Sequence, residues 1–196
     1  MAVVPSRIFY ARSGVVGEVE RTMLAVPVIE TERLVLRGWR NDDLDAFSRM
    51  SADAEVMRFI GGATPSPSDA WRIMASFAGH WLLRGFGCWV VERKSDHAFL
   101  GRIGLWQPEG WPGMEVGWAL DRPFWGKGYA TEAAKAALDY GFANYPVTRL
   151  ISLIAPENHA SQRVAERLGE TRGAPVTLTI FGRSFVADCW AIHRSG

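Results

Sequence analysis

The chain of 196 residues is poor in the features that usually decide a class quickly. It has two cysteines, Cys88 and Cys189, too few for a disulfide scaffold or a four-thiolate zinc site. No apolar run reaches the ~18 residues of a transmembrane helix, so no membrane span is expected. Charge of one sign is also lacking. Lys+Arg 22 against Asp+Glu 21 leaves +1, which argues against nucleic acid and anionic membrane as partners. The four histidines, His80, His97, His159 and His193, show no HExxH or other metal spacing, and no metal is expected. Repeats and low-complexity tracts are absent. A secretory leader needs an unbroken apolar core, and Arg7, Arg12, Glu18, Glu20 and Arg21 interrupt every such run, so a cytoplasmic protein is expected.

What is present is an ordinary globular composition, 48% hydrophobic and 22% charged, with enough length for one domain and a real core. Nine tryptophans and ten phenylalanines are the unusual numbers; such surface fills a core or lines a pocket. Residues 1–26 lack clear periodicity and are expected to be an N-terminal extension, with the domain over 27–196. Met23 would be a sensible domain start, which would make residues 1–22 an upstream segment.

From Glu32 the pattern becomes legible. Leu34 and Leu36 alternate with Arg33, Val35 and Arg37, predicting a strand. Asn41 is the expected N-cap of a short helix over DDLDAFSRM. A turn or short helix at 53–59 and a loop at 61–68 follow. Ser68 or Asp69 should cap the next helix, in which Trp71, Met74, Ala75, Ala78, Trp81 and Leu82 recur at three-to-four spacing until GFG at 85–87. Strands at 88–93, 98–106 and 114–120 read as an antiparallel meander with turns at Asp96-His97 and QPEGWPG. Then come a helix over 127–143, a strand over 149–155, and a helix from its Asn158 cap to Leu168, with Gly169 just past its end. The tail alternates as a hairpin through Val176, Leu178 and Ile180, a turn at FGR, and Phe185, Ala187, Cys189 and Ala191. The order β-α-α-β-β-β-α-β-α-β-β predicts one mixed sheet with helices on it, an α/β (α+β) domain.

The segment LDRPFWGKGYATEAAKAALDYGF, 120–142, carries the chemistry. Gly126 and Gly128 allow a sharp turn and close approach to bare N–H groups. Those groups belong to the first turn of a helix, where unpaired donors and the macrodipole favour an anion such as pyrophosphate. Lys127 adds a cation or points to solvent. GxxxxGK[ST] is missing, and GxGxxG fails at Thr131, so neither nucleotide motif applies. Taken alone, the two glycines fit a tight turn that merely permits helix–strand packing better than an anion site.

The string resembles the pyrophosphate loop of the GNAT superfamily of acyl-CoA N-acyltransferases, Q/R-x-x-G-x-G/A. Trp125 stands at the first position, a departure, with Gly128 at the fourth and Ala130 at the last. WGKGYATEA is similar to the Rim-type subgroup, which acetylates ribosomal-protein N-termini. ENHASQRVAERLG, 157–169, resembles the family's N-x-x-S helix, and ETERLVLRGWRNDDLDAF, 30–47, its opening strand and helix. The three segments, correctly ordered, extend the resemblance over roughly residues 30–193.

The resemblance implies a single GNAT-type domain with a mostly antiparallel sheet of about six to seven strands. That sheet would splay between the fourth and fifth predicted strands, 114–120 and 149–155, and carry helices on both faces. Acetyl-CoA would be the co-substrate, its pantetheine arm in the gap on the backbone of Ala119 and Leu120. Its pyrophosphate would sit on the amides of Gly126, Lys127, Gly128, Tyr129, Ala130 and Thr131, with Asn158 and Ser161 at the pantetheine or thioester sulfur. Arg163 or Arg167 would meet the adenosine phosphate or remain solvated helix charges. The implied reaction is direct attack of a neutral amine on the thioester. A fourth-strand N–H would stabilise the oxyanion, Glu115 would act as base through water, and Ser161 as acid. A tyrosine often found seven residues after the Asn is replaced by Ala165, and VTLTI offers no carboxylate. Cys88 and Cys189 fit core packing, His159 a surface position, and Trp89, Trp106 and Trp118 either sheet packing or an acceptor pocket.

The expected function is acetyl-CoA-dependent N-acetyl transfer, with a protein or peptide N-terminal α-amine as the leading acceptor. A small-molecule amine is the alternative; a non-catalytic acyl-CoA sensor is another, and an ATP- or GTP-binding protein the remotest. A homodimer is left open.

Overall fold

The computed structural model describes residues 25–61, 63–180 and 183–194. Residues 1–24, with Met23 and nearly all of the expected extension, lie outside the described residues, as do Phe181 and Gly182 of the tail turn. Eight strands form one sheet: β1 (Ile29–Glu30), β2 (Leu34–Arg37), β3 (Cys88–Arg93), β4 (Phe99–Trp106), β5 (Glu115–Leu120), β6 (Arg149–Ile154), β7 (Thr171–Ile180) and β8 (Arg183–His193). Their order is β1-β2-β3-β4-β5-β6-β8-β7. Every neighbouring pair is antiparallel except β5 and β6. The expectation of six to seven strands misses β1, whose two residues are too few to alternate visibly.

Period-2 alternation sorts the strand side chains onto two layers. Trp89, Val91, Ile103, Leu105, Val116 and Leu120 face helix α4 (Tyr129–Asn144), whose Ala133, Ala134 and Ala137 let it lie close to the sheet. Cys88, Val90 and Ala119 face the other way, toward Phe47 of α1 (Leu44–Ala52) and Phe77 of α3 (Pro67–Arg84). The short α2 (Ala54–Met57) lies between those two helices in the chain. A third small cluster, Ile154, Ala165 and Trp190, sits under α5 (His159–Leu168). Cys88 is buried and Cys189 half-buried, both unbridged.

Four local expectations are corrected. Asn41 does not cap α1 directly, because a 3-10 turn over Asn41–Asp43 intervenes and the Asp43 carboxylate accepts from the Arg40 amide at 2.7 Å. The cap of α3 is Ser66, which accepts from the Asp69 amide; Pro67 fills the first helical position and so fixes the cap one residue earlier. The buried stripe of α3 is Ala70, Met74, Phe77 and Trp81, whereas Trp71 and Leu82 are 49% and 68% exposed. Arg37, expected on the solvent phase of β2, is buried in a network with Asp43 at 2.7 Å and Glu92 at 2.7 Å. Asn158 and Gly169 do bound α5 as expected, the glycine at φ +84°.

His80 is a core residue. Its Nδ1 lies 2.6 Å from the Phe86 carbonyl, Nε2 accepts from the Gln107 amide, and the ring stacks on Trp106 at 4.4 Å. Trp89 is wholly buried, its indole donating to the Pro27 carbonyl.

Candidate active site

β5 and β6 pair at one register, Glu115 opposite Ile151, and then part. This is the splay expected between 114–120 and 149–155. Hydrogen bonds show which peptide groups face it. The Met114 carbonyl accepts from the Ile151 amide, Val116 from Ser152 Oγ, and Leu120 from the Trp125 indole; the Asp121 amide instead donates to Leu100 on β4. By strand alternation, the peptide groups of Val116, Trp118 and Leu120 point into the gap and those of Gly117 and Ala119 toward β4. Ala119 therefore lines the cleft through its side chain, and Trp118 takes the backbone place expected of it. Leu120 keeps that place, with its carbonyl already bonded to Trp125 at 2.7 Å.

The gap opens into a cleft of about 350 Å³. One end is the N-terminus of α4. Gly126 and Gly128 stand at φ +73° and +79°, a region that L side chains rarely adopt. Gly128 is the N-cap and brings no side-chain cap, so the first-turn N–H groups of Tyr129, Ala130 and Thr131 have no helical partner. A Cβ on Gly126 would meet nothing within 4 Å. Gly126, Gly128, Tyr129, Ala130 and Thr131 all line the cleft, which fits an anionic diphosphate. Lys127 is not among the lining residues; its Nζ lies 5.9 Å from the Phe124 ring. Arg163 and Arg167 do line the cleft.

At the vertex sits Glu115, half-buried, with its carboxylate accepting from the Trp111 indole at 2.6 Å and from the Leu153 amide of β6. Burial pushes this carboxyl up to about 7, against those two hydrogen bonds and the Arg102 charge, which lower it. Glu115 Oε1 lies 3.6 Å from where a Cβ on Gly117 would stand, so the carboxylate leans along β5 toward the cleft, over a residue with no side chain to block it. Glu115 is not on the cleft lining itself. On the α5 wall, Asn158 Oδ1 accepts from the Ser161 amide and Ser161 Oγ accepts from the Trp118 indole at 3.1 Å.

Arg33, Glu55, Val56 and Phe59 were not legible as site residues, and Trp118 was expected either in sheet packing or in an acceptor pocket. Arg33 braces the anion loop, bonding Glu132 of the first α4 turn at 2.7 Å and the Lys127 carbonyl at 3.0 Å. Glu55, Val56 and Phe59, on and just after α2, line the cleft, in the stretch expected only as a turn or short helix. Trp118 could be placed on a strand, but nothing in its spacing shows that its indole reaches α5. His159 is exposed, the surface position expected of it, and is not among the residues lining the cleft. Among the described residues no three His, Cys, Asp or Glu side chains cluster to hold a metal, and no helix is long and apolar enough to cross a membrane.

The sequence that forms this splayed sheet and glycine-led helix is matched by a family profile. The profile described as "Acetyltransferase (GNAT) domain" matches residues 33–171. The chain belongs to the GNAT acetyltransferase family. YkkB of Bacillus subtilis (strain 168) is 34% identical over 155 residues, covering 75% of this chain and 87% of YkkB. The N-acetyltransferase YnaD of the same organism is 30% identical over 144 residues, covering 74% of this chain and 82% of YnaD. The structure of an acetyltransferase from Agrobacterium tumefaciens str. C58 superposes with a TM-score of 0.75 at 27% identity, covering 94% of this chain and 100% of that one. The fold is also that of a ribosomal L7/L12 α-N-protein acetyltransferase bound to coenzyme A (TM-score 0.70, 16% identity, 85% and 97% covered). It recurs in a Vibrio cholerae spermidine N-acetyltransferase bound to CoA and spermine (0.67, 19%, 83% and 96%). This GNAT protein is an acetyl-CoA-dependent acetyltransferase, and acetyl-CoA is the family's acetyl donor.

Proposed function

We propose that the acceptor is the α-amine of a polypeptide N-terminus, as in the Rim-type subgroup, and that the reaction runs in the cytoplasm. The observation that carries this is the Glu115 carboxyl, raised to about 7 at the vertex of the splay. A base of that strength suits an α-amine of pKa ~8, already partly neutral near pH 7.5, far better than a lysine-type amine of pKa ~10.4. Among the described residues that line the cleft Glu55 is the one acid, which offers little to a polycation.

In this reading the α4 amides and Gly126 hold the diphosphate, Arg163 and Arg167 approach the adenosine phosphate, and Trp118 and Leu120 present backbone groups to the pantetheine arm. Acetyl-CoA supplies the activated acyl group. Glu115 takes a proton from the incoming amine through a water, which leaves the lone pair free for attack. One of the gap-facing β5 N–H groups stabilises the charge on the thioester oxygen. Ser161 gives its proton to the departing sulfur.

The test is a panel of acceptors with acetyl-CoA: peptides with a free α-amine, N-terminally blocked lysine peptides, and spermidine. Turnover is expected for the free α-amine, with an acidic limb in the pH–rate profile near the value of Glu115. Glu115→Gln should flatten that limb and slow the reaction by about 10²-fold. Turnover of spermidine alone would move the reading to small-molecule amines; acetyl-CoA binding without turnover of any amine would make the protein a sensor.

A further inference from the structure

Ser161 Oγ has one proton to give and room to accept. Trp118 Nε1 stands 3.1 Å from it, and an indole N–H only donates, so the serine accepts in that bond. Its own proton is thereby turned away from the indole, and among the described residues no carbonyl or carboxylate receives it. The serine's backbone is fixed as well, because its amide is held by Asn158 Oδ1 at 3.1 Å. The remaining direction is the cleft, which both Trp118 and Ser161 line.

The indole is itself held. It packs against Ile154, Ala165 and Trp190, and Ala165 is wholly buried with a side chain small enough to leave the ring its place. The bond joins β5 to α5, the two walls of the cleft, at the open part of the splay. We propose that Trp118 is a positioning residue whose indole N–H holds the Ser161 hydroxyl as a proton donor aimed into the cleft. This rests on the reading of Ser161 as the acid. As the thioester C–S bond breaks and its electron pair goes to sulfur, the Ser161 proton passes to that sulfur, and the serine recovers a proton from water. Without the indole the hydroxyl rotates freely and donates in the required direction only part of the time.

The test is a double-mutant cycle with acetyl-CoA and an α-amine peptide. Trp118→Phe keeps the ring bulk and removes the donor; it should lower kcat by roughly 5- to 10-fold, the worth of one hydrogen bond, with the KM for acetyl-CoA within about 2-fold. Ser161→Ala should lower kcat by about 10²-fold, and the double variant should be no slower than Ser161→Ala alone. A double variant slower by the full Trp118→Phe factor would overturn the proposal. A second readout keeps the native tryptophan. In the indole-labelled full chain, the Trp118 Nε1 proton should exchange with water markedly faster in Ser161→Ala than in wild type, and an unchanged rate would overturn the proposal even if Trp118→Phe fails to fold. A wild type that turns over no amine sinks the catalytic reading beneath it; an active wild type with independent factors sinks the proposal alone.

Discussion

Ser152 has a single hydroxyl proton and two acceptors in reach, the Val116 carbonyl at 2.8 Å and Glu170 Oε1 at 2.9 Å. Ser152 Oγ donates to both, its one proton shared between the carbonyl and the carboxylate. Burial pushes Glu170 up to about 7; the Ser152 bond opposes that rise and the charge of Glu115 adds to it. The sign follows from linkage. Between its unfolded value and about 7 the folded carboxyl keeps a proton that the unfolded chain has lost, so its contribution is whole below the unfolded value and disappears as pH rises through 7. Glu115 titrates in the same sense. Each carboxyl is worth about 3 kcal/mol over that window. Urea unfolding between pH 5 and pH 8 should therefore show wild-type stability falling with pH, and Glu170→Gln should fall by about half as much. Equal slopes would mean that Glu170 is ionised in the fold. In the sequence Glu170 is the first residue past the Gly169 end of a helix, where an exposed charge is the ordinary expectation. Glu115 was legible as a carboxylate at a strand start, but the indole that covers it comes from Trp111 in the preceding turn, and no strand pattern reports such a contact.

Elements with one strong period were read correctly, and the errors lie in pieces too short to show a period, such as β1 and the 3-10 turn before α1, or where two patterns compete. On α3, Trp71, Ala75, Ala78 and Leu82 form a stripe as regular as Ala70, Met74, Phe77 and Trp81, and only the position of the sheet decides which is buried. Its cap was displaced because Pro67 outranks Ser68 and Asp69 as a start signal. At the N-terminus of α4 the two glycines alone read first as a packing turn, and the resemblance of the flanking segments is what pointed to an anion loop. There the two positions should separate experimentally. A side chain at either is strained, at about 1–2 kcal/mol. Gly126 faces open space, whereas a Cβ at Gly128 stands 3.4 Å from an Arg33 Nη and a carboxylate there adds negative charge to the anion site. Calorimetric titration with acetyl-CoA should show Gly128→Asp losing ~10²-fold or more in affinity and Gly126→Ala roughly 30-fold or less, the latter being the most its backbone strain can cost. Equal losses would assign the effect to backbone strain and not to the charge.

At the scale of the molecule, the sheet is two wings, β1–β5 and β6–β8, joined at one register between Glu115 and Ile151. Beyond that point few polar ties cross: Ser152 Oγ to the Val116 carbonyl, the Leu153 amide to Glu115, and the Trp118 indole to Ser161. Helix α4 packs on both sides of the seam, through Ala133 and Ala134 on the core it shares with Val116 and Leu150. A fold arranged this way leaves strand edge open along the gap and relies on a ligand to complete it. Acetyl-CoA, bound to the folded chain and not to the unfolded one, stabilises by mass action, about 2.7 kcal/mol at a concentration of 100 Kd. For a chain of this size that raises Tm by roughly 5–10 °C. The place of the effect is the sharper test. The amides of Trp118 and Leu120, which face the gap, should exchange quickly in the free protein and slow when acetyl-CoA is added, while those of Gly117 and Ala119, directed to β4, should barely change. A rise in Tm with all four amides unaffected would mean that the ligand holds the α4 end only and that the pantetheine arm does not enter the splay.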